Sequence, residues 1–165
     1  MFHSGMVVAI PVESVQATRQ TNLITKENPM SQSEHEKWVT SLVKRFPLLY
    51  RGRRRGEADF FLRGLGWFPI IEKLSDELET EIRRLRDEEG VPVRKLPRAF
   101  RVKEKFGKLR FQIVNPTPAV FDRIFKAEQE AATSCEICGR IAMPSQAGEQ
   151  VLCPEHMHMR TEDEE

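Results

Sequence analysis

The sequence predicts an α+β fold, helices packed on a β-hairpin, and three observations lead there. Apolar residues recur at helical spacing in two segments before residue 90 and in one after residue 116. Between them, RAFRVKEKFGKLRFQIV alternates apolar and basic residues instead. After residue 133 neither period continues, and Cys135, Cys138 and Cys153, every cysteine of the chain, gather there with His156. A length of 165 residues suits one such domain with a small appendage.

The first 32 residues read as a disordered leader. MVVAIPVESV has the makings of a short strand, but QATRQTNLITKENP is polar and aperiodic, and Met30 would serve as a natural start. Ser33 followed by Glu36 is a capping-box pattern. Trp38, Leu42, Phe46 and Leu49 then form a helical stripe, which Pro47 should end near Phe46. A loop rich in Gly and Arg, YRGRRRGEADFFLRGLGW, comes next. Pro69 suits the first turn of a second helix, whose inner face is Ile70, Ile71, Leu74, Leu78, Ile82 and Leu85. Gly90 is its stop, and the charges of EKLSDELETEIRRLRDEE read as a solvated face without function.

The alternating stretch reverses at Lys105-Phe106-Gly107-Lys108, where Gly107 can supply a positive φ. A four-residue loop there sets Glu104 opposite Leu109, Val102 opposite Phe111 and Phe100 opposite Ile113. Lys103 then faces Arg110, and Arg101 faces Gln112. An odd-length loop would scramble this sorting of apolar and basic faces, so the even pairing is expected. A third helix follows, with Thr117 as N-cap, Pro118 at its first position and Val120, Ile124, Ala127 and Ala131 as its inner edge, Phe121 and Phe125 alongside. The α+β domain so read spans residues 33–133.

Residues 134–160 read as a zinc finger. Cys135 and Cys138, then fourteen residues, then Cys153 and His156, have the spacing of a tetrahedral zinc site. A gap of two residues lets both members of a pair turn toward one ion. Gly139 suits a knuckle whose backbone N–H groups approach the sulfurs, and Pro154 suits the first turn of a short helix. His158 is the rival fourth ligand; His156, three residues from Cys153, is the better placed. Four protein ligands leave no open position for water or substrate, so the expected Zn2+ is structural. Its ligation would supply folding energy that the last thirty residues, short of large apolar side chains, lack. The alternative is three reduced cysteines that fall together by coincidence.

GWFPIIEKL, RVKEKFGKLRFQI, CEICG and LCPEH together resemble a family of uncharacterised small proteins of bacteriophages, prophages and their bacterial hosts. That family combines a Gly-Trp helix start, a Lys-Glu-Lys-Phe-Gly-x-Leu-Arg-Phe hairpin and a C-terminal cysteine finger. The likeness covers about residues 38–157. It implies an architecture and a phage or bacterial setting, and no activity.

A net charge of +1 conceals an asymmetry. From Lys44 to Arg110 there are 19 Lys/Arg against 11 Asp/Glu, whereas residues 111–165 carry 4 against 10 and end in an acidic tail, Thr161 to Glu165. Residues 91–110 hold 8 Lys/Arg and one Glu, beyond ordinary surface composition. Arg53, Arg54 and Arg55 in the loop, with Arg101, Lys103, Lys108 and Arg110 on the hairpin, are the candidate contacts to nucleic acid, DNA or RNA, through its phosphates. The plain alternative is that these cations are the solvated side of an amphipathic ribbon. Trp67, Tyr50 and Phe106 would stack on unpaired bases if exposed, but Trp67 and Phe106 are expected in the core.

Catalytic patterns are missing: no phosphate-binding Gly-rich loop, no Gly-x-Ser-x-Gly elbow, no paired-histidine metalloprotease helix and no deaminase signature. An HNH-like nuclease would need a catalytic histidine inside the finger, and His3, His35 and His158 all fall outside it. No small-molecule substrate is evident. No apolar run approaches the roughly 18–20 residues that cross a bilayer, and three cysteines cannot close a disulfide set. The expectation is therefore a cytoplasmic, non-enzymatic nucleic-acid-binding protein of a bacterial cell. A protein-interaction adaptor that docks on a host protein is the second reading, and a nuclease the third.

Overall fold

A computed structural model describes residues 32–53, 66–144 and 150–159. Helix α1 spans Gln32–Arg45, α2 Phe68–Asp87 and α3 Pro118–Ala131. Strands β1 (Arg98–Glu104) and β2 (Leu109–Val114) form one antiparallel pair. The short β3 (Met143–Pro144) and β4 (Val151–Leu152) form a second. The architecture is α+β, as expected. Residues 1–31 of the proposed leader, Arg54, Arg55 and the acidic tail lie outside the described residues, while Gln32, assigned to the leader, begins α1. Among the described residues no helix is long and apolar enough to cross a membrane.

The core is built where three amphipathic faces meet the hairpin. All six apolar residues expected on the inner face of α2 are buried, as are Val120, Ile124, Ala127 and Ala131 of α3. Val39 and Leu42 of α1 and Phe46 just beyond it join them, and Trp38 stacks on Phe68 with ring centroids 3.7 Å apart. Thr117 caps α3 as expected, its hydroxyl accepting from Val120 N, and Pro118 occupies the first turn. Pro69 sits at the start of α2, and α1 ends before Pro47. The N-terminus of α1 differs from expectation: the helix already includes Gln32, so Ser33 lies inside it rather than capping it.

The outer face of α2 is only partly the solvated surface its charges predict. Glu79 and Glu81 are buried. The Glu79 carboxylate accepts from the backbone N–H groups of Leu48 (3.1 Å) and Leu49 (2.8 Å), where the chain turns after α1 and Pro47 leaves amides without helical partners. Arg83 closes the same carboxylate from the next turn at 2.8 Å. Glu81 is held below the usual carboxylate range by its hydrogen bond from Arg84, against the opposing effect of burial. Tyr50 is buried as well. Ser75 donates to Ile71 O, so the tyrosine hydroxyl donates to Ser75 at 2.6 Å, and burial raises its pKa.

Loop and hairpin are tied at their bases. Ala99 N donates to Leu49 O at 3.0 Å, and the Arg51 guanidinium reaches the carbonyls of Leu48, Leu96 and Pro97. Arg51, the first arginine of the RGRRRG loop, is thus a structural clasp.

The hairpin pairs as predicted from Glu104↔Leu109 to Arg101↔Gln112. Lys105 and Lys108 exchange both backbone hydrogen bonds, so the loop between them is two residues, Phe106 and Gly107, both at positive φ (54° and 65°). That is the turn that matches strand twist. Beyond Arg101 the pairing departs from expectation. Ala99, not Phe100, faces Ile113, and Phe100 is the extra residue of a β-bulge. Ala99 is buried and Phe100 is 47% exposed, so the expected pairing of Phe100 with Ile113 is replaced. Main-chain bonds at the strand's base prevail over side-chain alternation there, since Ala99 N is committed to Leu49 O.

Glu79→Ala removes the acceptor of two amides, one of them fully buried. The substitution is expected to cost about 2–4 kcal/mol, read as a lower midpoint in urea unfolding with unchanged slope. Glu79→Gln, which keeps one acceptor oxygen, should cost less.

Candidate metal centre

Among the described residues between 134 and 159 there is little buried apolar mass: Ala142, Val151 and Leu152 are the buried aliphatic residues. Local geometry comes instead from backbone turns. Gly139, at φ +75°, turns the chain after the first cysteine pair, and its N–H donates to Cys135 O at 2.8 Å. Ala142 N returns to Thr133 O, and Glu136 N donates to Val151 O, so the two cysteine-bearing segments lie side by side. Pro154 begins a turn closed by His156 N donating to Cys153 O at 2.9 Å, ahead of a single 3-10 turn at Met157–Met159.

These turns bring Cys135, Cys138, Cys153 and His156 together, with one ligand atom from each within 4.8 Å of all the others. Cys138 Sγ and Cys153 Sγ are 3.7 Å apart, and His156 Nδ1 is 3.6 Å from Cys135 Sγ and 3.2 Å from Cys153 Sγ. A tetrahedral ion with bonds of about 2.0–2.3 Å requires ligand–ligand edges of roughly 3.5–3.8 Å, so the donor set fits a metal ion. His158 is exposed and outside the group, and the fourth donor brought to the cysteines is His156, through Nδ1.

The electrostatics suit a cation. Burial raises the Cys135 thiol, but backbone N–H groups from Cys153, Cys138 and Ile137 and the His156 hydrogen bond prevail, bringing it down to about 6. Cys138 is pushed up to about 11 by burial and by the neighbouring sulfurs. Neighbouring sulfurs thus oppose one another's negative charge. Glu136, raised to about 7 by burial, then by Glu104 and Cys135, feels the same excess of negative charge.

The knuckle is seated on the core by a residue that sequence reading passed over. Gly66 N donates to Glu136 O at 2.8 Å, and a Cβ on Gly66 would stand 1.9 Å from Cys135 O and 2.5 Å from Gly139 N. The next residue, Trp67, is fully buried and donates its indole N–H to Ser134 O at 2.8 Å. The Gly-Trp pair is quoted above only as a helix start; its contact with the cysteines crosses some seventy residues of chain, beyond any local pattern.

The basic candidates divide. Arg101, Lys103 and Arg110 share the hairpin face opposite Val102, Leu109 and Phe111, with Lys103 directly across from Arg110. Arg110 also pairs with Glu128 of α3 at 3.5 Å, and the same carboxylate accepts from Phe111 N. Lys108 is exposed beside the turn. Arg53 is half-buried at the start of the loop, where the Arg98 guanidinium lies against Gly52. Loop and hairpin cations therefore meet at the base of the ribbon, about 17 Å from Lys103 at ~3.3 Å per residue. Trp67 and Tyr50 are in the core and have no face for a base. Phe106, expected in the core, is 70% exposed at the tip, because both turn positions point away from the sheet. Lys105 Nζ stands 5.1 Å from its ring centroid. His35 lies against Trp38 and Phe68, away from the cysteines.

Cys138→Ser is expected to abolish stoichiometric metal binding in elemental analysis of the purified protein and to unfold residues 134–159. Gly66→Ala keeps all four ligands yet forces the knuckle off its seat. It should lower the melting temperature by an amount corresponding to about 1–3 kcal/mol or more and weaken metal retention against a chelator. Comparison with protein-family models, with curated proteins and with solved structures finds no match to this chain.

Proposed function

We propose that the protein is a non-enzymatic zinc-finger protein that binds nucleic acid, DNA or RNA, through the basic hairpin and the Arg-rich loop. Three thiolates and one imidazole on a tetrahedron are the donor set that soft, four-coordinate Zn2+ takes. With four protein ligands its role is structural: it organises the terminal segment and performs no chemistry. Arg101, Lys103, Lys108 and Arg110 supply phosphate contacts, and Arg53, Arg54 and Arg55 extend them from the loop. The motif resemblance adds a bacteriophage or bacterial setting, with the bacterial cytoplasm as the place of action.

Phe106 is the observation that carries this reading. A bulky side chain in the left-handed region costs about 1–2 kcal/mol, and Asn or Gly is the usual residue there. This phenylalanine accepts that cost and remains 70% exposed, with Lys105 Nζ over its ring and no burial in the core. Flanked by Lys105 and Lys108, it suits stacking on an unpaired base with cations beside the phosphates. A second reading, a protein-interaction adaptor, draws on the finger: Ile141 and Met143, two residues apart, are 87% and 80% exposed, and Met157 is exposed too.

Anisotropy of labelled single- and double-stranded DNA and RNA, titrated with salt, tests the leading reading. Micromolar or tighter binding that weakens steeply with salt supports it, and Lys103→Ala with Arg110→Ala should reduce both affinity and salt slope. Phe106→Asn is the sharper variant. It should raise thermal stability, because Asn accepts positive φ, while weakening binding by about 1–3 kcal/mol. Absence of binding at low salt removes the nucleic-acid reading and turns attention to the finger's apolar residues.

A further inference from the structure

The β-bulge at Phe100 places a second aromatic ring on the hairpin, and the geometry points to a two-ring site for single-stranded nucleic acid. In this site Phe100 and Phe106 stack on two separate bases, and Arg101, Lys103 and Arg110 hold the phosphates between them. The inference rests on the nucleic-acid reading above and specifies its ligand and footprint.

Alternation along β1 would carry Phe100 inward with Val102. The extra residue instead gives the buried position to Ala99, leaving Phe100 47% exposed. A bulge is a means of re-aiming a side chain, and here it turns a large ring out of the core in exchange for a methyl group. Phe106 shows the same trade at the other end of the ribbon, where positive φ is accepted without burial. Both irregularities of the hairpin thus present a phenylalanine.

Between the two rings the outward face is cationic. Arg101 and Lys103 alternate on β1, and Arg110 stands across from Lys103 on β2. Like charges directly opposed across a strand pair are unfavourable on their own. Glu128 offsets Arg110, and a phosphate chain along this face would offset Lys103 across from it. Six residues separate the rings, about 20 Å at ~3.3 Å per residue. Stacked bases rise only about 3.4 Å per step, so the rings take bases several nucleotides apart. A duplex hides its base faces, so the ligand is single-stranded.

The test measures anisotropy of a labelled thymidine decamer, a thymidine trimer and a decamer duplex with full-length, metal-loaded protein. The decamer should bind more tightly than the duplex, and more tightly than the trimer, which is too short to reach both rings. Phe100→Leu keeps apolar bulk but removes the ring. It should weaken decamer binding about tenfold while changing trimer binding by no more than about twofold, since the trimer can still use Phe106. Phe100→Trp and Phe100→Tyr keep a stacking ring and should hold the decamer affinity at an unchanged melting temperature. Decamer binding that responds to Phe106→Asn but not to Phe100→Leu overturns the two-ring site and leaves the hairpin-tip reading standing. Loss of affinity in all three Phe100 variants also overturns it, since the requirement is then for Phe100's packing and not for a ring. Equal affinity for duplex and single strand overturns the single-stranded assignment. A decamer that does not bind at all at low salt overturns both readings together.

Discussion

Where a side chain on residue 66 would stand, the backbone of the metal knuckle already is: a Cβ there would lie 1.9 Å from Cys135 O. That contact joins the two parts of the molecule. Gly66 N and the Trp67 indole hold Glu136 O and Ser134 O, on either side of the first ligand, so the knuckle is fastened to the N-terminus of α2. Trp67 is itself in the core beneath that seat. A metal ion held by the four donors would therefore couple ligation to core packing, because it would fix the loop whose carbonyls receive these donors. A small apolar cluster of Ala142, Val151 and Leu152 is sufficient for the terminal segment only because of this fastening.

Carboxylates take a similar joining role elsewhere. Glu79 satisfies two amides that Pro47 leaves without helical partners, and Glu128 satisfies the free edge of β2 at Phe111. Each also holds an arginine, Arg83 and Arg110 respectively. A carboxylate that accepts from backbone N–H and faces a guanidinium has its charge compensated, which is what makes partial burial tolerable. Through Glu128 the hairpin edge is shielded from pairing with another chain, and part of its positive charge is balanced.

The hairpin combines regular pairing in the middle with irregular backbone at both ends. Its middle four pairs sort apolar from basic residues, and β2 anchors the ribbon to α3. Its ends, a bulge at Phe100 and a positive-φ phenylalanine at 106, add nothing to the core. The cations at the ribbon's base, around Arg98 and Gly52, lie apart from those near its tip, so any polyanion that touched both would run along the ribbon's length.

Much of this was legible in the residues. Period 3.6 marked the apolar inner residues of α2 and α3, though Phe121 and Phe125, expected alongside that edge, are exposed. Thr117-Pro118 marked a helix start, and two cysteine-containing pairs at fixed spacing marked the four clustered donors. Those features depend on neighbours within a few positions, where backbone geometry alone dictates which side chains share a face. The exposure of Phe106 was open to the same local reasoning, since a two-residue turn points both side chains off the sheet. What tertiary structure decided has longer reach. Glu79 looked like one more solvated charge because the amides it satisfies are some thirty residues away. Phe100 left its predicted pairing because Ala99 N is bonded to Leu49 O, a partner in another segment. Gly66 looked like loop punctuation until the knuckle was folded against it. In each case a hydrogen bond or a steric contact between distant segments outweighed the local pattern, and that choice exists only once the chain has closed on itself.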